Sequence, residues 1–186
     1  MSDTRASANL RTTLWRVSGA APSLLDIDGH TLGLFSSTRV DFREAVALAR
    51  RILERQCDVA TISNREITLH VVPQLTTELT PNWYDEWLLV HQERWRQLRL
   101  HALDALAERL IEDGRCALAI DAATAAVDSE PLRESGYRCL IQAHLAQGNI
   151  SEAIRTYRAY CELLMLELGV LPSPMMNDLL ASFSFP

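Results

Sequence analysis

A repeat in the second half of the chain most restricts how this sequence can fold. Gly114 is followed 34 residues later by Gly148, and Ala119 is followed at the same interval by Ala153. Five more pairs share this interval: Leu110 with His144, Ile111 with Leu145, Ile120 with Ile154, Ala123 with Tyr157, and Val127 with Cys161. Units of this length cannot bury their apolar faces alone, so neighbouring units must stack.

The residue types in the repeat indicate tetratricopeptide-like helix–turn–helix units. That pattern needs a small residue at the tight turn and an alanine where two helices cross closely. The residues expected to make the repeat packing are Gly114, Ala119, Gly148, Ala153 and Tyr157. Helices are expected at about 98–113, 115–129, 132–147 and 150–168, with Pro131 beginning the third and a capping helix near 174–183. Stacked in this way they would form a superhelix with a concave groove, and an ordinary helical bundle is the alternative.

The N-terminal part predicts a helix and a hairpin. Apolar residues recur at helical spacing over residues 5–17, and Gly19 follows where a helix would end. Two apolar runs, 23–28 and 31–35, flank an Asp-Gly turn signal, which is typical of a β-hairpin. The expected fold is therefore mostly α, with one helix and a hairpin ahead of the repeats.

A domain boundary is expected after the hairpin. Asp41 is a candidate N-cap, and Glu44 three residues later completes a capping-box-like pair for a helix through about Arg55. We therefore divide the chain into a small N-terminal element, residues 1–37, and a helical domain, residues 38–186.

Residues 57–80 are ambiguous. Ile67, Leu69 and Val71 alternate as a strand would, whereas Leu75 and Leu79 suit a helix. Both interpretations stay open for this segment.

Thr80-Pro81 is a strong helix start signal, with threonine as N-cap and proline at the first helical position. A helical pattern then runs to Asp113. The aromatic residues Trp83, Tyr84 and Trp87 are expected to pack the start of this helix against the repeats, although a ligand cage is the alternative.

The sequence predicts no enzyme, no cofactor and no metal site. Phosphate-binding glycine loops, zinc-protease motifs and nucleophile elbows are all absent. His91 and His101 are ten residues apart on one helix and cannot share a metal ion. The cysteines are scattered without a C-x-x-C pair, and we expect buried, reduced thiols at Cys57, Cys116, Cys139 and Cys161, with disulfides or a metal site as the alternatives.

Hydropathy predicts a cytoplasmic protein without membrane partners. The longest apolar runs are far shorter than a bilayer span, and the N-terminus has no signal-peptide core.

Charge is unevenly distributed along the chain. Arg5, Arg11 and Arg16 outweigh Asp3 in the first 19 residues, which leaves −8 on the remainder of a chain whose net charge is −6. On the first helix Arg5, Asn9, Thr12 and Arg16 share one side, and these side-chain types contact phosphates and base edges in a major groove. An ordinary solvated face is the alternative.

Three stretches in a fixed order resemble a known family. They are Arg5-Ala-Ser-Ala-Asn-Leu-Arg-Thr-Thr-Leu-Trp-Arg-Val17, Asn82-Trp-Tyr-Asp-Glu-Trp-Leu-Leu-Val90 running into Arg99-Leu-His-Ala-Leu103, and Glu167-Leu-Gly-Val-Leu-Pro-Ser-Pro174. Together with Asp128-x-x-Pro131-Leu-Arg-Glu134 they resemble the bacterial transcriptional activator domain of the Streptomyces antibiotic regulatory protein (SARP) type.

The resemblance implies that a winged-helix DNA-binding domain precedes the repeat domain. Residues 4–17 then correspond to the recognition helix and residues 23–35 to the wing. A complete winged helix has further strands and two more helices to bury Leu10, Leu14 and Val17. The expectation is therefore a partial winged helix, either truncated or a natural variant with weakened DNA binding.

Three functional hypotheses follow. The first is a transcription regulator, an activator by the resemblance, that contacts double-stranded DNA and either RNA polymerase or another regulator chain, including a second copy of itself. The second is an interaction module that has lost DNA binding and modulates an intact regulator. The third is a small-molecule sensor that uses the superhelical groove.

Overall fold

The computed structural model describes residues 3–29 and 31–181. The chain is mostly helical and divides into two compact units between Asp41 and Phe42. The predicted mostly α fold, with one helix and a hairpin ahead of a helical domain, is confirmed. His30 in the hairpin turn and positions 182 and 183 of the predicted capping helix lie outside the described residues.

The first unit consists of one helix and one hairpin. Helix α1 spans Asp3–Ala20, and it continues one residue past Gly19 before Pro22 prevents further helical hydrogen bonding. Strands β1 (Leu25–Asp28) and β2 (Thr31–Leu34) pair antiparallel. Leu25 lies opposite Leu34 and Ile27 opposite Leu32, so one face of the hairpin is apolar.

The division falls just after the first residue of α2, Asp41–Leu53, and this helix ends two residues before the predicted Arg55. Its buried side chains, Ala45, Ala49 and Ile52, recur every three or four residues and form one helical stripe. Phe42 at its start meets the Trp95 ring edge-to-face at a centroid distance of 5.4 Å.

The ambiguous segment forms a short helical run. A 3₁₀ turn at Val59–Thr61 precedes α3 (Asn64–Glu66), a π-helical stretch (Ile67–Val71) and α4 (Val72–Thr76). Ile67, Val71 and Leu75 are buried at helical spacing whereas Leu69 is exposed, so the strand interpretation is wrong.

The π-helical stretch has a local cause. Pro73 lacks an N–H and its ring crowds the preceding turn, which disfavours regular α-helix at this point. The N–H of Val72 bonds instead to the carbonyl of Ile67, five residues earlier. The wider turn accommodates the proline without breaking the helix.

The long helix α5 spans Glu86–Glu112 with Asp85 at the N-cap position, so the predicted start at Thr80-Pro81 is wrong. Thr80 has a φ of 45° and Asn82 a φ of 73°, which place both residues in the left-handed region. A helix cannot pass through such residues, so the chain turns at 80–82 and enters α5 later.

Four further helices follow. They are α6 (Cys116–Ser129), α7 (Glu134–Ala146), α8 (Ile150–Glu167) and α9 (Pro174–Asp178). Pro131 does not begin α7: it lies in a turn closed by the Arg133 N–H and the Glu130 carbonyl at 3.1 Å, and the helix starts at Glu134. The predicted capping helix is shorter than expected, since its helical part ends at Asp178.

The ends of α5 and α7 have the same geometry. At α5, the Gly114 N–H donates to the Ile111 carbonyl at 2.9 Å and the Arg115 N–H to the Leu110 carbonyl at 2.8 Å. This pair of bonds is a Schellman cap, in which the glycine adopts a positive φ, here 72°.

At α7, Gly148 has a φ of 81° and its N–H donates to the Leu145 carbonyl at 2.9 Å. The Asn149 N–H donates to the His144 carbonyl at 2.8 Å. The sequence interval between the two glycines is therefore also the interval between two identical turns, each leading into the next helix of a pair.

Candidate functional site

The polar side of α1 is exposed. Arg5, Asn9, Thr12 and Arg16 all lie at the surface, within an arc of roughly 60° at about 100° per residue. The Thr12 hydroxyl donates to the Ala8 carbonyl at 3.0 Å, so its oxygen is still able to accept a hydrogen bond. The side chains that the sequence grouped by spacing are therefore on one accessible stripe.

The opposite side of α1 is only partly covered. Leu14 and Val17 are half-buried, but Leu10 is 55% exposed. On the hairpin Ile27 and Leu32 are about half exposed as well. The first unit therefore presents apolar as well as polar side chains at its surface.

The residues expected to pack the repeats occupy different positions in the helical unit. Gly114 and Gly148 are exposed at the helix ends, where they adopt a positive φ that other residues adopt only at a cost. Ala119 and Ala153 have no exposed surface. Tyr157 is half-buried, and its hydroxyl donates to Asn177 Oδ1 at 2.7 Å, which links α8 to α9.

A pocket of about 440 Å³ lies beside the start of α5. Its walls include Trp83, Tyr84, Leu89 and Trp95. Only Trp95 is buried, at 3% exposure, whereas Trp83, Tyr84 and Trp87 are 56%, 81% and 64% exposed. The expectation that these three aromatic residues pack the helix start against the repeats is therefore wrong.

Hydrogen bonds from α5 hold the loop that forms this pocket. The Gln92 side-chain amide donates to the carbonyls of Leu79, Thr80 and Trp83 at 3.1, 3.3 and 3.3 Å. Trp95 Nε1 donates to the Thr77 carbonyl at 2.9 Å. These bonds anchor the backbone of the loop at four positions, so the main chain that carries the aromatic walls is held in place by α5.

Two arginines near the pocket are engaged. Arg96 pairs with Glu93, Nε to Oε2 at 2.8 Å, and also with Glu130. The hydrogen bonds that Glu93 accepts from Arg96, and a further one from Gln97, lower the pKa of Glu93 to about 2. Its carboxylate is therefore ionised throughout the physiological range. Arg99 is buried and donates to the Thr76 carbonyl and to Ser129 Oγ at 3.1 and 3.2 Å.

Two further charged groups lie inside the helical unit. Arg109 is 9% exposed and donates to the carbonyls of Ile52 and Cys57, which ties α5 to the end of α2. Asp104 pairs with Arg133, Oδ2 to Nη2 at 2.9 Å, across α5 and the turn before α7. Both contacts join separate segments of the helical unit, and neither Arg109 nor Asp104 lines the aromatic pocket.

The cysteines are free thiols, and all four lie in the described residues. Cys57 and Cys139 are buried as predicted, whereas Cys116 and Cys161 are only partly buried, so the predicted burial is wrong for those two. Cys139 is fully buried, and desolvation raises its pKa to about 12, so it stays protonated and unreactive at neutral pH.

Within residues 3–29 and 31–181, no group of three or more histidine, cysteine or acidic side chains is arranged to hold a metal ion. In the same part of the chain, no helix combines the length and apolar character needed to cross a bilayer.

Sequence reasoning missed the residues that build the pocket. Gln92, Trp95 and Arg99 carried no motif, although Leu88, Trp95, Arg99 and Ala102 recur at intervals of seven, four and three. That spacing marks the buried stripe of α5 and would have separated Trp95 from the exposed Trp87.

Comparison with known proteins identifies the helical unit. The family model for the bacterial transcriptional activator domain (BTAD) matches residues 40–182, which is more than three quarters of the chain. A search of curated protein sequences gave no match. The match covers α2 to the end of the described helices and includes both glycine-capped turns. The chain therefore belongs to the bacterial transcriptional activator domain family.

Proposed function

We propose that this chain regulates bacterial transcription in the cytoplasm, as an activator of the SARP type, by binding and without catalysis. In this proposal α1 contacts promoter DNA, while the helical unit contacts RNA polymerase or another regulator chain. The observation that carries it is the family match over residues 40–182, because that family is one of transcription regulators.

The DNA half of the proposal rests on α1. Arg5 and Arg16 supply guanidinium groups for phosphates or guanine edges, and Asn9 between them supplies an amide suited to adenine. All three are exposed on one stripe. The hairpin β1–β2 follows α1 as a wing follows a recognition helix, so we propose that this unit corresponds to that part of a winged helix.

The test is fluorescence anisotropy of the full chain with random duplex DNA and with a promoter library, at two salt concentrations. Phosphate contacts release counterions, so binding is expected to weaken steeply as salt rises. Arg16→Ala is expected to weaken DNA binding by roughly 1–3 kcal/mol if it reads a base, with helix content and thermal stability nearly unchanged.

Arg11→Ala is the matched control. Arg11 is exposed on the same helix but about 130° away from the proposed DNA-binding stripe, so the substitution removes the same charge from a different side. An equal loss of affinity in both variants would reduce the interaction to general electrostatics. Unchanged affinity in Arg16→Ala would contradict the assignment of α1.

The second candidate is an interaction module that has lost DNA binding and modulates an intact regulator by pairing with it. The observation that favours it is that the family match lies in the helical unit, at residues 40–182, and includes neither α1 nor the hairpin. Under this candidate the chain does not bind duplex DNA even in low salt, and it co-purifies with an intact regulator or with RNA polymerase.

A further inference from the structure

The start of α5 presents an aromatic surface that no other part of the described chain covers. Residues 81–87 are exposed without interruption, and they include Trp83, Tyr84 and Trp87. Large aromatic side chains are enriched at the centres of protein interfaces, because they bury much area while losing few rotatable bonds. We call the exposed walls of the pocket, Trp83 and Tyr84, together with the adjoining Asp85, Glu86 and Trp87, the aromatic patch.

Acidic side chains predominate in the sequence that precedes and contains the patch. Residues 67–93 contain four carboxylates and no arginine or lysine. Glu93 is occupied by Arg96, and Glu78 faces the charge of Arg99. Asp85 caps α5 without a side-chain hydrogen bond, and neither it nor Glu86 forms an ion pair within residues 3–29 and 31–181. Two exposed carboxylates without an ion pair thus adjoin three exposed aromatic residues in the sequence.

The nearby arginines do not neutralise these carboxylates. Arg96 is held by Glu93 and Glu130, and Arg99 is 4% exposed with its guanidinium bonded to a carbonyl and a hydroxyl. All three guanidinium nitrogens of Arg96 and Nη1 of Arg99 are bonded to groups of the protein itself. Arg94 is exposed and lies two helical turns beyond Trp87. An incoming ligand therefore meets aromatic faces and negative charge.

We infer that the aromatic patch binds an arginine-bearing segment of a partner protein. A guanidinium stacks on Trp or Tyr faces and donates two parallel hydrogen bonds to a carboxylate, which matches the groups at Trp83, Tyr84, Asp85 and Glu86. Nucleic acid is the wrong partner for this surface, since phosphates are repelled by its carboxylates. The inference rests on the part of the proposed function in which the helical unit contacts a partner protein. It adds that the recognised segment of this partner carries arginine.

The backbone of the loop that forms the pocket is held in place by hydrogen bonds. The loop that carries Trp83 and Tyr84 is fixed by the Gln92 amide, and Trp95 behind it is fixed by its own hydrogen bond to Thr77. The loop backbone therefore does not have to be ordered when a side chain binds, which lowers the entropic cost of recognition.

The experiment measures binding of a fluorescein-labelled peptide to the full chain by anisotropy in low salt. The probe is a short peptide that alternates arginine with alanine. Two matched peptides carry citrulline or lysine in place of arginine. Citrulline keeps the shape but removes the charge, so it is expected not to bind. Lysine lacks the planar fork and is expected to bind several-fold more weakly.

Two pairs of variants locate the site. Trp83→Ala/Tyr84→Ala is expected to weaken arginine-peptide binding about tenfold, and its control is Trp15→Ala, which removes an exposed tryptophan from α1. Asp85→Asn/Glu86→Gln removes the two carboxylate charges of the patch and is also expected to weaken arginine-peptide binding.

The control for the charge variant is Glu162→Gln/Glu167→Gln, which removes two exposed carboxylates from α8. Both controls are expected to leave binding within about twofold. Circular dichroism of all four variants is expected to match the parent chain, because every substituted side chain is exposed.

Three results would overturn the inference. They are absence of arginine-peptide binding at millimolar peptide, equal losses in the patch and control variants, and equal affinity for the citrulline peptide. Sedimentation velocity supplies a fourth: self-association that disappears in Trp83→Ala/Tyr84→Ala would assign the patch to a second copy of the chain.

The DNA assay separates this inference from the proposed function. Patch-dependent peptide binding by a chain that binds no DNA supports the inference and removes the DNA half of the proposed function. If DNA binding is lost in Arg16→Ala but not in Arg11→Ala, and any of the results that overturn the inference is also found, then the proposal that α1 binds DNA is supported and the inference about the aromatic patch is rejected.

Discussion

The contribution of the repeat glycines to stability can be measured at three helix ends in the second unit. Glycine is replaced at two of these ends and introduced at the third. The ends of α5 and α7 place Gly114 and Gly148 at positive φ. The end of α2 has the same pair of bonds, the Arg55 N–H to the Ile52 carbonyl at 3.3 Å and the Gln56 N–H to the Arg51 carbonyl at 3.0 Å. There the left-handed position, with a φ of 55°, is occupied by Arg55.

The structure isolates the backbone contribution. A Cβ added at Gly114 or Gly148 meets no atom within 4 Å, so no clash contributes to the cost. A left-handed conformation costs an L-residue roughly 1–2 kcal/mol, offset in part by the lower unfolded-state entropy of alanine, which leaves about 1 kcal/mol for each Gly→Ala change. The double variant Gly114→Ala/Gly148→Ala is therefore expected to lose about 2 kcal/mol, or about 4–8 °C in Tm.

Arg55→Gly is expected to gain about 0.5–1 kcal/mol, since it relieves the same strain at α2. Arg55 also lies 3.5 Å from Glu112, but both side chains are mostly exposed and such pairs contribute little. Glu112→Gln measures that pair separately. Urea unfolding monitored by circular dichroism gives the free energy of unfolding of each of these variants. A neutral Gly148→Ala, or a destabilising Arg55→Gly when Glu112→Gln is neutral, would refute the reasoning.

Three further predictions concern the interior of the helical unit. Ala153→Trp overfills a crossing with no exposed surface and is expected to cost about 1–3 kcal/mol or more, so an unchanged Tm would contradict close helix approach there. Arg109→Met removes charged hydrogen bonds to two carbonyls and is expected to cost about 3 kcal/mol in urea unfolding, against nearly zero for the exposed Arg94→Met. Iodoacetamide at pH 8 is expected to label Cys161 before Cys139, as read by mass spectrometry. Because burial raises the Cys139 pKa from 9.0 to about 12, its contribution to stability is complete below pH 9 and is lost as pH rises toward 12.

Local patterns were sufficient for elements whose signals lie within a few residues. Helices predicted at 115–129 and 150–168 are observed as Cys116–Ser129 and Ile150–Glu167, and the predicted hairpin is observed as β1 and β2. In each case the turn residue and the apolar period agree, and no distant contact opposes them.

Long-range contacts decided the elements that local patterns described wrongly. Thr80-Pro81 has the residues of a helix start, but the Gln92 side chain, twelve residues away, binds the Thr80 carbonyl and holds the turn. The alternation at Ile67, Leu69 and Val71 is equally compatible with burial of every fourth residue, which packing against α5 and α6 selects. Neither contact is visible in a window of neighbouring residues.

The candidate sites differ in the same way. Spacing alone was enough to place Arg5, Asn9, Thr12 and Arg16 on one side of a helix, because a regular helix fixes azimuth. Spacing did not reveal which aromatic residues at the start of α5 are buried, since that depends on where the helix begins. The predicted start at Pro81 implied packing for Trp83, whereas the observed start at Glu86 leaves it at the mouth of a pocket.

Opposite charge makes the two proposed binding surfaces separable. α1 carries three arginines, whereas residues 67–93 carry four carboxylates and no arginine or lysine. Salt weakens binding at both surfaces, so salt dependence alone does not distinguish them. Arg16→Ala changes only the affinity for phosphate-bearing ligands, and Trp83→Ala/Tyr84→Ala changes only the affinity for arginine-bearing ones. If both contacts contribute to one promoter complex, either variant reduces activation in a reporter assay, and the combined variant reduces it by about the product of the two fold-changes.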